Sequence, residues 1–342
     1  EPFVQQNGYV QSHGTGALRL GTSAGDLMVD GVASSKQGWR PAAFNAGWAH
    51  HDRVQSHGEG AWLSQWMANR HQHSAAAVWL ERIAAGELHR NGELLAGDMQ
   101  LASGDDICWQ RPPWLEEAIP DQWDTIHDDG DLLVINKPSG LPVMPGGGFL
   151  EHTLTALLAS TGAKPVHRLG RFTSGLQVCA RTAATRAALS KQFRPESRCQ
   201  KIYQAWARRV EGLEPGQSLV VSTDVVERQH PLLGWIWGPE PLDQEPTRKR
   251  LTAHSTVRLL DRCAAGDRLE VTIRTGRPHQ IRIHLAQLGS PLLGDPLYLL
   301  NRKISETATP GDGGYGLHSW RLEGLIAGGL SLLAPLPKGF SD

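Results

Sequence analysis

RTGRPHQIRIHL, residues 274–285, and GDPLY, residues 294–298, form the most informative part of this chain. Arg274, Arg277 and Arg282 fall with His279 and His284 inside eleven residues. The two histidines are five apart and have no carboxylate between them in the zincin arrangement, so this cluster is not read as a metal site. LEVTIRT, which leads into it, has the pattern of a strand. IRIHLA also alternates as a strand does, although IRIHLAQL could continue into a helix.

Three further segments stand out upstream. HRLGRFTSGL (167–176) places Arg168 and Arg171 around a glycine and ends in a Thr-Ser-Gly turn. Two cations at a tight turn suit phosphate contact, and equally a solvated surface turn. KIY (201–203) puts Tyr203 on a strand, where a tyrosine either belongs to the core or faces a cleft and stacks on a base. INKPSGLPVMPGGG (135–148) is a strand leaving the core for a loop punctuated by proline and glycine, which on its own reads as a connector. Leu132–Asn136 is a continuous apolar run and so a buried strand, while LTALLAS and AATRAALSKQF have helical spacing. Residues 227–250 and 301–316 read as loops.

The chain divides by texture. Residues 1–43 are rich in Gly, Ser, Ala and Gln without apolar periodicity, and read as a poorly ordered or non-native extension. From 44 to 110 the sequence predicts a small module. Trp62, Leu63, Trp66 and Met67 share helical spacing, and Ser74 has the place of an N-cap for a second helix ending near Gly86. Leu88–Gly92 predicts a short strand with an Asn-Gly turn, and Leu101–Trp109 a closing strand. The proline-containing stretch 111–123 is a linker, and 124–342 forms the second domain. Of the 342 residues, 40% are apolar and 20% charged, with formal net charge −1, so a nucleic-acid site would have to be a local basic patch. No apolar run reaches the roughly 18 residues of a membrane span. The four cysteines are scattered with no Cys-x-x-Cys pair, which points away from zinc and redox dithiols and toward a reducing cytoplasm.

INKPSGLPVMPGGG, HRLGRFTSGL, KIYQAW, RTGRPHQIRIHLAQLGSPLLGDPLY and LHSWRL, in that order, resemble the RluA-like family of RNA pseudouridine synthases. The resemblance covers about 124–340. Residues 58–110 are similar, more weakly, to the alpha-L RNA-binding module that often precedes that catalytic domain. The fold implied is α+β: a mixed, largely antiparallel sheet with flanking helices, after the small RNA-binding module. The activity implied is isomerisation of uridine to pseudouridine in structured RNA, ribosomal or transfer, by a cytoplasmic monomer using neither cofactor nor metal. The target base must leave its stack, at a cost of a few kcal/mol.

By the same resemblance, Arg168 takes the position of the arginine that supports the flipped state. Tyr203 stacks on the target uracil, and Arg282 is the arginine that pairs with the catalytic carboxylate. Lys137, Arg171 and Arg277 are implied as phosphate or fold contacts. The family motif His-Arg-Leu-Asp ends in the catalytic nucleophile, and here that place holds Gly170, which has no side chain to attack or orient anything. Either another group carries the reaction, or the chain is a non-catalytic RNA-binding or assembly protein. Without its usual partner, Arg282 is expected to be solvated or paired with another acid such as Asp295. The segments 167–175, 201–203 and 274–284 are expected to converge on one cleft. Lys137, Arg168, Arg171, Arg274, Arg277 and Arg282 are expected to form one positive face.

Overall fold

The computed structural model describes residues 40–71, 73–194, 197, 199–243, 245–325, 331–338 and 340. Residues 1–39 of the expected extension lie outside the described residues. Residues 42 and 43 are tied in: the Ala42 carbonyl contacts His152 Nε2 at 3.0 Å, and the Ala43 carbonyl accepts the Glu116 N–H.

The first module holds β1 (Trp48–Arg53), α1 (Leu63–Arg70), α2 (Ala76–Ala84), β2 (Leu88–Arg90), β3 (Glu93–Leu94) and β4 (Asp106–Arg111). Its sheet order is β1-β4-β2-β3. The helices bury Leu63, Met67, Trp79 and Ile83 against Val54, Leu88, Ile107 and Trp109. Asn91 and Gly92, both at positive φ, turn β2 into β3, as the Asn-Gly signal predicts. Three details differ from the sequence reading. β1 was not anticipated; it precedes the helices and pairs along β4. β4 starts at Asp106 rather than Leu101. The N-cap of α2 is Ala75, while the Ser74 hydroxyl faces His73 Nδ1.

Residues 112–123 lie against the structure rather than crossing free space. The Glu116 carboxylate accepts the Asn45 amide and the backbone N–H groups of Leu150, Glu151 and His152.

The larger sheet is built from β5 (Asp124–Asp128), β6 (Leu132–Lys137), β7 (Lys164–Pro165), β8 (Ser174–Ala180), β9 (Gln200–Ala207), β10 (Ser218–His230), β11 (Gly234–Pro239), β12 (Thr247–Arg262), β13 (Asp267–Ile273), β14 (Leu317–Glu323) and β15 (Leu332–Leu333). The main path runs β11-β10-β12-β13-β9-β14-β8-β6-β5, with β15 on β14 and β7 on β8. Among the described residues the pairs are antiparallel except β14 with β8. The helices are α3 (Leu154–Leu157), α4 (Ala183–Gln192) and α5 (Gln280–Gln287). This is the mixed, largely antiparallel α+β architecture the motifs imply. β8 lies inside the sheet between β14 and β6, and all seven of its residues are buried. Gly175 is required there: at φ +99° it lets Ser319 O approach to 2.2 Å from where a Cβ would stand. Thr182 and Thr153 cap α4 and α3 by accepting the N–H groups of Thr185 and Ala156. Among the described residues no helix is long and apolar enough to cross a membrane.

Two sequence readings are corrected. Residues 227–250, expected as loop, carry the end of β10, all of β11 and the start of β12. IRIHLA is helical, in α5, not a strand. Its residues 280–286 are all buried, so no exposed face breaks the apparent alternation.

Candidate active site

Three chain-distant segments meet at the middle of the large sheet. Tyr203 on β9 pairs with Val271 of β13 on one side and Ser319 of β14 on the other. β13 runs out into the turn 274–279, and β8 begins beside β14 with the 168–173 loop just before it. A cavity of about 330 Å³ lies where they converge, lined by Arg168, Gly170, Tyr203, Arg277, His279 and Arg282, with Thr173, Gln280 and Tyr315 also on its wall. Its size falls within the range of small-molecule sites.

Gln280 builds the turn. Its side-chain carbonyl accepts Thr275 Oγ1–H at 2.7 Å and the Arg277 N–H at 3.1 Å, while its amide donates to His254 O at 2.9 Å. The α5 N-cap, His279, sits in the left-handed region at φ +52°, a conformation that costs energy for a residue with a Cβ. Tyr298 Oη donates its single hydrogen to Trp237 O at 2.8 Å. It therefore accepts from His279 Nδ1–H at 2.6 Å, which fixes that tautomer and leaves Nε2 as an acceptor. Burial and the Arg282 charge push the His279 pKa down to about 3, so the ring is neutral at ordinary pH.

Arg282 lies at the floor, 3% exposed, and is paired bidentately with Asp295 at 2.7 and 2.8 Å. Asp295 is one of the acids expected to take this role in the absence of a carboxylate at 170. It also accepts the N–H groups of Leu297 and Tyr298 through Oδ1. Burial opposes the Arg282 charge, but Asp295 and the Tyr315 and Tyr298 rings, 4.2 and 4.9 Å away, more than offset it and the pKa is raised. Burial pushes the Tyr203 pKa up to about 12, which keeps its hydroxyl protonated.

The other sequence-selected residues divide in two. Arg168 is exposed at the rim and makes no hydrogen bond or ion pair among the described residues. Arg277 donates from Nε to Thr252 O at 3.0 Å and is partly exposed. Lys137 is different: it is 0% exposed, and its ammonium donates to the carbonyls of Pro138, Leu141 and Arg171 at 2.8–2.9 Å. Burial, with Arg171 nearby, pushes its pKa down to about 7. All three N–H groups are engaged, so Lys137 anchors a loop and has no donor left for phosphate. Arg171 likewise donates to Gly140 O and to Glu117, and packs over Phe149 and Phe172. The expected positive face is thereby corrected: Lys137, Arg171 and Arg282 turn inward, leaving Arg168, Arg274 and Arg277 near the surface.

Sequence reasoning passed over Tyr315, His279 as a cavity residue, and Thr173. Tyr315 lay in a segment read as loop, GDGGYG, where a lone aromatic between glycines was the available signal. A Cβ at Gly170 would stand 2.9 Å from Tyr315 Oη and 3.3 Å from Thr173 Oγ1.

The family model for RNA pseudouridylate synthase matches residues 131–287, a span that includes the 168–170, 203 and 277–282 walls of the cavity. An uncharacterized RNA pseudouridine synthase of Synechocystis sp. is 40% identical over 283 residues, covering 79% of this chain and 92% of that protein. RNA pseudouridine synthase 5 of Arabidopsis thaliana is 30% identical, covering 82% and 89% respectively. The ribosomal large subunit pseudouridine synthase D of Xylella fastidiosa is 34% identical, covering 67% and 68%. With similarity running through most of both chains, and a nucleoside-sized cavity assembled from the matched segments, the chain belongs to the RNA pseudouridine synthase family.

Proposed function

We propose that this protein isomerises uridine to pseudouridine in structured RNA, ribosomal or transfer, as a monomer in the cytoplasm. The observation that carries the reading is the convergence of Arg168, Tyr203, Arg277 and Arg282, from three distant segments, on one cavity. In this reading Tyr203 provides the aromatic face for the extruded uracil, and Arg168 fills the gap left in the RNA. Arg277 and its neighbour Arg274 take phosphates, and the first module adds RNA contacts. Arg282 with Asp295 sets the floor of the pocket. Four cysteines without a disulfide, three of them buried, agree with a reducing compartment. Names of relatives support the RNA classes: one is a ribosomal large subunit synthase, another the tRNA pseudouridine(31) synthase of Saccharomyces cerevisiae.

Gly170 is the one feature that favours a non-catalytic RNA-binding protein. The test is direct: purified full-length protein is incubated with unmodified ribosomal and transfer RNA transcripts, and pseudouridine is mapped chemically. Site-specific pseudouridine is expected. Binding without product on both RNA classes would overturn catalysis, and no binding would overturn both readings.

A further inference from the structure

We propose that the Tyr315 hydroxyl is the proton-transfer group of this enzyme, giving a proton to uracil as the glycosidic bond breaks and taking one from carbon 5 after the base re-attaches. The proposal rests on the pseudouridine synthase reading above. It begins from the complementarity of positions 170 and 315. The Gly170 backbone lies outside the left-handed region, so no dihedral angle demands glycine there. Space does: the Tyr315 hydroxyl stands 2.9 Å from where a Cβ would be, in the volume through which a side chain at 170 would extend. The tyrosine is held in place. Its ring packs 4.2 Å from the Arg282 guanidinium and edge-on to Phe172, with 6.2 Å between ring centroids. The ring is buried on the cavity wall, yet its hydroxyl makes no hydrogen bond to any described residue.

Tyr203 also brings a hydroxyl to the cavity wall, but burial raises its pKa to about 12 and its ring is the face given to the uracil; the remaining groups are less able to move a proton. No Asp or Glu lines it among the described residues. Asp295 is held by the Arg282 fork and by two backbone N–H groups. His279 directs its one N–H at Tyr298 and has no proton to give on Nε2. Tyr315 has a proton, a free hydroxyl and a cation beneath its ring.

The step balances without a co-reactant. The electron pair of the N1–C1′ bond leaves with uracil, and Tyr315 Oη–H protonates a uracil oxygen, leaving a phenolate beside Arg282. The base rotates, and the electrons of its carbon 5–carbon 6 double bond form the new bond to C1′. The phenolate then removes the hydrogen from carbon 5, restoring the double bond, and the first proton ends on N1 by tautomerisation. Tyr315 finishes as it began.

The test uses full-length protein and ribosomal and transfer RNA transcripts carrying tritium at uracil carbon 5, with tritium release read under single-turnover conditions. Tyr315→Phe keeps the ring, its stacking on Arg282 and its packing on Phe172. It is expected to lower the single-turnover rate about 10²- to 10⁴-fold, the usual worth of a positioned acid–base group, with RNA affinity unchanged. Gly170→Asp in the Tyr315→Phe background brings a carboxylate into the vacated space and is expected to recover at least about tenfold of that loss. A Tyr315→Phe rate within about threefold of wild type would overturn the proposal while leaving the proposed function standing. Loss of RNA affinity in step with rate would also overturn it, making Tyr315 a wall of the pocket. No release from the wild type on either RNA would remove the proposed function and this proposal together.

Discussion

Arg282 illustrates what the residue scale adds to a motif. The sequence marks it as a cation in need of an acid and names Asp295 as one choice, but spacing cannot say that the pair is bidentate, with side chains 3% and 0% exposed. A buried pair of this kind is costly to break, because removing one partner strands the other charge. Asp295→Asn is therefore expected to destabilise the protein by about 3–5 kcal/mol, seen as a lower urea midpoint; an unchanged midpoint would mean that Arg282 finds water or another acid. Arg168 makes the opposite prediction. It is exposed and unpaired, so Arg168→Ala should leave the urea midpoint within about 0.5 kcal/mol of wild type. Product formation should fall more than RNA affinity, measured by single turnover and by filter binding, and a parallel fall in both would make it a plain phosphate contact. Lys137 shows where motif reading ended. A lysine beside a loop looks like a phosphate ligand until its three carbonyl partners are seen, and those come from residues 138, 141 and 171.

At the scale of elements, some strands were legible and others were not. β6 reads as an apolar run and LEVTIRT of β13 as a strand, whereas the second half of β12, which alternates with Ala253, Ser255, Val257 and Leu259 inward, was not singled out. The end of β10 was hidden because Glu227, Arg228 and His230 are buried through hydrogen bonds, Arg228 to Glu245 and to Arg302 O, His230 to Ser305 O. Hydrophobic periodicity cannot register a side chain that is buried by pairing rather than by apolarity. The loop after β6 is held by the same means. Lys137→Met removes three donors from buried carbonyls, and is expected to cost about 3 kcal/mol and to expose residues 138–148 to limited proteolysis before the sheet unfolds. Proteolysis at wild-type rate would show that Arg171, through Gly140 O, suffices to hold the loop.

The whole molecule is tuned by its buried histidines. Burial lowers the pKa of His167 and His279 to about 3, and of His284 and His318 to about 4, from an ordinary 6.5. Each folded pKa is depressed, so between 6.5 and those values the unfolded chain binds protons that the folded chain refuses, and stability falls as pH falls. At about pH 5 each histidine contributes a loss of about 2 kcal/mol relative to pH 7, as an upper bound. Urea midpoints measured from pH 7 to about pH 4.5 should drop steadily, and a flat profile would mean that these rings open to solvent without unfolding.

Charge at the largest scale argues for local rather than global attraction to RNA. The chain carries formal net charge −1, so its overall field offers no attraction to a polyanion. Arg168, Arg274 and Arg277 are the cations left near the surface around the cavity once Lys137, Arg171 and Arg282 have turned inward. If Arg274 and Arg277 each release a counterion from a phosphate in a single-stranded segment, log affinity should fall against log salt with a slope of about −1.4. The first module should steepen that slope, because it folds around its own core at Trp79 and Trp109 and carries the exposed Arg53. A chain lacking residues 1–112 should keep the large sheet folded, since its core clusters draw only on residues from 119 onward. It loses the Asn45–Glu116 contact and with it some order at 114–117. The expected result is weaker RNA binding with a slope near that of Arg274 and Arg277 alone, and a slope shallower by about a further 1.4 when Arg274→Ala and Arg277→Ala are combined. An identical slope with and without the module would place RNA contact on the larger domain, and loss of circular-dichroism signal from the larger sheet would show that the two modules fold as one.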